Sequence, residues 1–280
     1  MTDNSRNVRA RTLAALLAAS AMGHAAAATP VGNADAFDLS IQIDILGLTT
    51  FNLIAPTSAS IVDATETIAD SQSLASIIDA DPLNLVTLST GTVTSEAEYV
   101  AGPLSAIAAR ATVEDLELGA LGVGGLDILS LIGGTISSQV ALSGFCPEAP
   151  VQVNALLDDF MFFSGFDYGN LSDGSDGDGE GGGGAGGLPP SGATLIDVQL
   201  GVLGIDVPAL PLNPAPNTSI DLAALGIIGA TLVLNEQTRS GDGVSSLALA
   251  SNALHLNLDA AGIASADVII AHSSVSLACP

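Results

Sequence analysis

The chain has 280 residues, with 30 acids against five arginines, no lysine, and a formal net charge of −25. That balance excludes a nucleic-acid binder, which needs clustered cations against phosphate, and an anionic membrane surface repels it. Without lysine there is no Walker-type phosphate loop, no kinase ion pair and no Schiff-base chemistry, and G-x-S-x-G, H-E-x-x-H and C-x-x-C are all missing.

Residues 1–28 read as a signal peptide. Arg6, Arg9 and Arg11 form a basic start, residues 12–21 an apolar run, and residues 25–28 a small-residue cleavage region. The apolar run is too short to span a membrane stably. No later stretch reaches the uninterrupted apolar length that a membrane span needs, so the mature chain is expected to be secreted, without a transmembrane segment, to the extracellular space, the cell surface or the periplasm. Leader removal leaves Arg110 and Arg239 as its arginines.

The rest reads as strand nearly throughout. "FDLSIQIDIL" (37–46) alternates, which predicts Phe37, Leu39, Ile41, Ile43 and Ile45 on one face. "PLSAIAARA" (103–111) has helical composition but no flanking caps. "ATVEDLELGALG" (111–122) and a second alternating stretch run into Cys146-Pro147. "DDFMFFSGFDYGNL" (158–171) gathers five of the nine aromatics, which favours a strand or short helix capping a core, or a patch for self-association or a surface partner. Residues 173–192, "DGSDGDGEGGGGAGGLPPSG", have almost nothing to bury and read as a disordered acidic, Gly-rich linker. "ATLIDVQLGVL" (193–203) alternates again, "PALPLNPAPN" (208–217) is punctuation, and "ASNALHLNLD" (250–259) precedes a last strand into Cys279-Pro280.

This pattern predicts an all-β sandwich or roll built from two degenerate β units, 29–172 and 193–280, joined by the linker; a β-solenoid is the alternative. Each unit places a cysteine at the end of an alternating strand and before a proline. In an exported chain two cysteines are most simply one disulfide, Cys146–Cys279.

"PNTSIDLAALGIIGATLVLNEQTRSGDGVSSLALASNALHLNL" (216–258) and "ADVIIAHSSVSLAC" (266–279) resemble the bacterial choice-of-anchor P family, with looser similarity at "SASIVDA" (58–64) and "LNLVTLSTGTVTSEAE" (83–98). The resemblance implies an exported surface protein and supplies no catalytic residues. The sequence closes on Pro280 without an anchor helix or basic tail, so covalent anchoring is not expected.

The chemistry-bearing residues are few. His255, Asn257 and Asp259 share one strand face and are metal-capable, yet about 7 Å apart, which favours a solvated polar face. Asp176, Asp178 and Glu180 space oxygen ligands with glycine, as a calcium loop does, but the twelfth position from Asp176 is Gly187 rather than glutamate. "LNEQ" (234–237) reads as a strand end whose side chains satisfy a turn. The expectation is a non-catalytic envelope or extracellular-matrix protein, structural or adhesive, without a cofactor and with envelope components, matrix or a second copy as partner. The alternatives are a secreted hydrolase using Glu236 or an Asp with His255, and a calcium- or glycan-binding module.

Overall fold

The computed structural model describes residues 28–45, 49–80, 86–102, 104–121, 127–146, 166–168, 191–260 and 264–280. Strand follows strand. β1 (Val31–Ile45) leads to β2 (Thr49–Ile54), β3 (Ser58–Ala64), β4 (Ile68–Leu74) and β5 (Ile78–Ala80). β6 (Val86–Ser89) and β7 (Val93–Val100) precede a long hairpin of β8 (Ser105–Leu121) and β9 (Asp127–Gly144). Five short strands follow: β10 (Phe166–Tyr168), β11 (Gly192–Ile196), β12 (Gln199–Val202), β13 (Ile205–Asp206) and β14 (Thr218–Ile220). After one 3-10 turn, Ala223–Leu225, come β15 (Ala230–Ser240) and a second long hairpin, β16 (Ser246–Ala260) and β17 (Ala264–Ala278). The "PLSAIAARA" stretch lies mostly in β8, where alanine alternates between faces.

Two antiparallel sheets pack face to face as a sandwich. One runs β14-β15-β16-β17-β1-β2, with β3 also on β1. The other is centred on β8 and β9, with β6 and β7 beside β8, and β10, β11 and β12 beside β9. The two long hairpins are therefore the centres of the two sheets, and each carries one cysteine at its exit. Cys146 and Cys279 are bonded, with Cα atoms 5.4 Å apart across 133 residues of sequence. At alternate positions before the two cysteines, Val140, Leu142, Ser273, Val275 and Leu277 are buried.

The two sides of the linker are not separate bodies. β1, at the start of the chain, pairs along its length with β17, at the end. β11 and β12, beyond the linker, complete the sheet of β9. The physical reason is edge satisfaction: each central hairpin needs a neighbour on its free side, and the chain supplies it from the other segment. The linker also ends sooner than expected. Gly192 belongs to β11, and the buried Ser191 accepts the Ala141 N–H on its Oγ at 3.1 Å. The remainder of 173–192 lies outside the described residues, as do residues 158–165 of the aromatic stretch.

The alternation of the long strands breaks once, at a shared level. In the first sheet Leu234 and Asn235, Ala253 and Leu254, Ile270 and Ala271, and Asp38 and Leu39 are consecutive buried pairs. The register passes over Asn235, Ala253, Ala271 and Asp38 in turn. Asn235 and Ala271 take φ of 49° and 53°, in the left-handed region. This reversal turns Phe37 to the outer face, away from Leu39, Ile41, Ile43 and Ile45, which are buried as expected. In the second sheet the doubled residues point outward instead, at Glu114 and Asp115 and at Ile196 and Asp197.

The core is aliphatic, with Tyr99 its largest fully buried side chain. Tyr99 lies against Gly32, where a Cβ would come within 2.5 Å of the ring, and its hydroxyl donates to the Pro30 carbonyl. Small hydroxyls bridge the sheets: Ser138 and Ser273 Oγ atoms lie 2.7 Å apart, and Thr57 and Ser95 Oγ atoms 2.9 Å apart. On the lateral edge, Asp70 and Gln72 of β4 accept the Ser60 and Ser58 N–H groups of β3, which blunts that strand against pairing with another chain.

Asp38 is the costly member of this interior. It is fully buried; Oδ1 accepts the Thr57 N–H at 3.2 Å, and Oδ2 has no partner. Burial raises its pKa above the usual carboxylate value, against smaller opposing effects from hydrogen bonds with Thr57 and the nearby backbone. The folded state thus holds this proton more tightly than the unfolded chain, and stability falls as pH rises from the ordinary carboxylate range through the raised value. Asp38→Asn should raise stability at pH 7 by about 1 kcal/mol or more and flatten that slope. Urea unfolding at pH 4 and 7 measures it; an unchanged slope would place the proton elsewhere.

The disulfide and the shared sheets predict different things for a cut chain. Replacing both cysteines by serine should cost about 2–5 kcal/mol in urea unfolding. Cleavage within residues 173–180 should leave two fragments joined on a denaturing gel until reductant is added. In native buffer they should co-elute even after reduction, held by β1 on β17; separation there would contradict the strand order.

Candidate functional site

The phase reversal collects polar side chains on the outer face of the first sheet. β15 carries Glu236, β16 carries Asn252 and His255, and β17 carries Asp267 and His272, while β1 contributes Phe37. Glu236 stands opposite Asn252 and, beyond it, His272 and Phe37. Regular alternation would have put an inward residue in one of these places.

One hydrogen-bond chain joins them. His255 Nδ1 is 2.8 Å from Glu236 Oε2, and Nε2 is 3.0 Å from Asp267 Oδ1. Asn252 Nδ2 donates to the same Glu236 Oε2 at 2.7 Å. Its Oδ1 is thereby left to accept, so His272 donates from Nδ1 at 2.6 Å. A carboxylate only accepts, so His255 donates from both nitrogens when it is the cation.

The two histidines are driven apart. Partial burial of His255 disfavours its charge, but the bonds to Asp267 and Glu236 prevail and raise its pKa above the usual imidazole value. His272 lies deeper, stacked on Phe37 with centroids 4.5 Å apart and planes 17° apart. Burial lowers its pKa, against the weaker pull of Asp35 and Glu236. One ring is thus shifted toward imidazolium and the other toward the neutral form, in which Nδ1 carries the proton.

The sequence-derived candidates fare unequally. Leu254, Leu256 and Leu258 are buried, and His255, Asn257 and Asp259 face outward. The structure joins His255 to Glu236 and Asp267, however, not to Asn257 and Asp259, which lie farther along β16. Asp176, Asp178 and Glu180 lie outside the described residues. Among the described residues no group of three or more His, Cys, Asp or Glu side chains is disposed to hold a metal ion. "LNEQ" is mid-strand rather than a strand end: Asn235 turns inward and Glu236 outward. Asn252 and Phe37 were missed as site members because only the reversal turns them to the face of His255, and Asp267 because its place depends on the register of β17 on β16. The available signal was the adjacent apolar pair Ala253-Leu254 interrupting the alternation.

Comparisons with protein-family models, curated proteins and solved structures find no match. Among the described residues no helix is long and apolar enough to cross a membrane.

Chemically, the cluster holds charge more readily than it transfers protons. An imidazolium bonded at both nitrogens has no lone pair with which to act as a base. Its raised pKa contributes stability below the ordinary imidazole value, about 6.5, that is lost as pH rises through the folded value. His272 acts oppositely: its contribution is present above that ordinary value and lost as pH falls. An NMR titration should show His255 titrating above and His272 below 6.5. Glu236→Gln should shift the His255 midpoint down while leaving the fold intact. Coincident midpoints for the two rings would contradict the network.

Proposed function

We propose that this chain is a non-catalytic exported protein of the bacterial envelope or extracellular matrix, with a structural or adhesive role. The observation that carries this reading is the disulfide between the exits of the two central hairpins. Such a bond persists in an oxidising compartment, which agrees with the leader-like residues 1–28 and with the resemblance to choice-of-anchor P proteins. A cross-link between sheet centres, closing a loop of 133 residues, suits a body that must keep its shape outside the cell. The remaining surface is acid-rich, which favours solubility and mutual repulsion over collapse onto like copies.

The hydrolase alternative has one observation in its favour, the meeting of His255 with Glu236 and Asp267. That meeting occurs on an open sheet face, and both ring nitrogens are already engaged. The adhesive reading therefore stands ahead of it.

Fractionation of the producing cells should recover the chain, oxidised and lacking its first residues, from envelope or matrix. Beads coated with the purified oxidised protein should be retained on isolated envelope or matrix above beads carrying a charge-matched control protein. Recovery from the cytoplasm with both thiols reduced, or retention equal to the control, would overturn the proposal.

A further inference from the structure

The outer face of the second sheet carries an arginine that pairs with no carboxylate among the described residues. Arg110 is exposed on β8, opposite Glu96 on one side and Gln139 on the other. Among the described residues no ion pair involves Arg110. On a chain with 30 acids, a cation left unneutralised is unusual.

Arg110 and Gln139 form the shared boundary of two adjoining cavities. One, of about 400 Å³, is also lined by Glu96 and Glu98. The other, of about 590 Å³, extends to Thr194 and Asn213. Together they form a trough across β4, β7, β8, β9 and β11, a width of about 19 Å at ordinary strand spacing. Its far wall is the proline-rich stretch read from the sequence as punctuation. That wall is fixed in place: the Leu195 N–H donates to the Leu212 carbonyl at 2.8 Å, and the buried Asn235 donates from Nδ2 to the Pro214 carbonyl at 2.8 Å. Prolines and a buried amide hold the wall before any ligand arrives, which lowers the entropic cost of binding.

We propose that this trough binds a neutral polysaccharide, with Arg110 and Gln139 donating to sugar oxygens and Glu96 and Glu98 accepting from sugar hydroxyls. The mixture of donors and acceptors along the trough suits a ligand that offers both in every unit, which a polyol does. An anionic polymer meets the flanking glutamates and the net charge of the chain. A cationic peptide meets Arg110 at the centre of the trough. This inference rests on the adhesive reading and names its ligand.

The test is affinity electrophoresis of the oxidised protein in native gels containing dextran, laminarin, galactomannan or hydroxyethylcellulose, with polygalacturonate as the anionic comparison. At least one neutral polymer should retard the protein, and 0.3 M salt should not abolish the effect. Arg110→Ala and Gln139→Ala should each weaken retardation about tenfold or more. Glu236→Gln, on the opposite sheet, should leave it unchanged, and thermal melting should show all three variants folded. No retardation by any neutral polymer, retardation by polygalacturonate alone, or retardation unaltered by Arg110→Ala would overturn the assignment. Retention of the beads on envelope without retardation would overturn this inference while leaving the adhesive role standing.

Discussion

A β-strand alternates its side chains with a period of two, and one extra residue sends everything beyond it to the opposite face. That constraint organises this protein. Neighbouring strands in a sheet cannot reverse phase independently, because the ladder between them would lose register. The reversal therefore runs as a line through Asn235, Ala253, Ala271 and Asp38. In one sheet the doubled residues face the core, and in the other they face solvent. Both doubled faces thus point the same way in space.

Much of the architecture was legible because it follows from period and punctuation. Inward leucines and isoleucines on either side of the reversal were readable from alternation alone, and the pairing of the two lone cysteines followed from their number in a chain read as exported. The prolines after them explain why both occupy strand exits: proline has no N–H to continue a ladder. Cys279 still gives its own N–H to the Ser245 carbonyl at 2.8 Å, the last bond before Pro280. Strand exchange across the linker was not legible. Local sequence says that β1 is a half-buried strand, but not that its partner lies at the opposite end of the chain.

The candidate site was legible by residue and not by geometry. His255 and Glu236 stood out as scarce titratable groups in a region of Ala, Leu and Ser. Their meeting depends on Asn235 adopting a φ of 49°, which nothing in "LNEQ" announces beyond the tolerance of asparagine for that conformation. Asp267 lies one strand farther on, so its role requires the register of β17 on β16. Asp38 reads in sequence as an outward residue of an alternating strand. It becomes the fully buried carboxylate only because Asp38 and Leu39 are the doubled pair in β1.

Asn235 links the inner and outer consequences of the reversal. Its backbone conformation sends Glu236 outward toward His255, while its side chain points inward and holds Pro214 beside the other sheet. Gln237 Nε2 donates to Asn235 Oδ1 at 2.8 Å, so the amide is fixed at both ends. One residue at the sandwich edge therefore sets the charge network on one face and the wall of a trough on the other. Replacing Asn235 by leucine would keep a buried apolar volume but remove the donor to Pro214 and penalise the positive φ. Both faces would loosen together, although they lie on different sheets. Simultaneous loss is the mark of a shared structural cause, whereas loss confined to one face is the mark of a local contact.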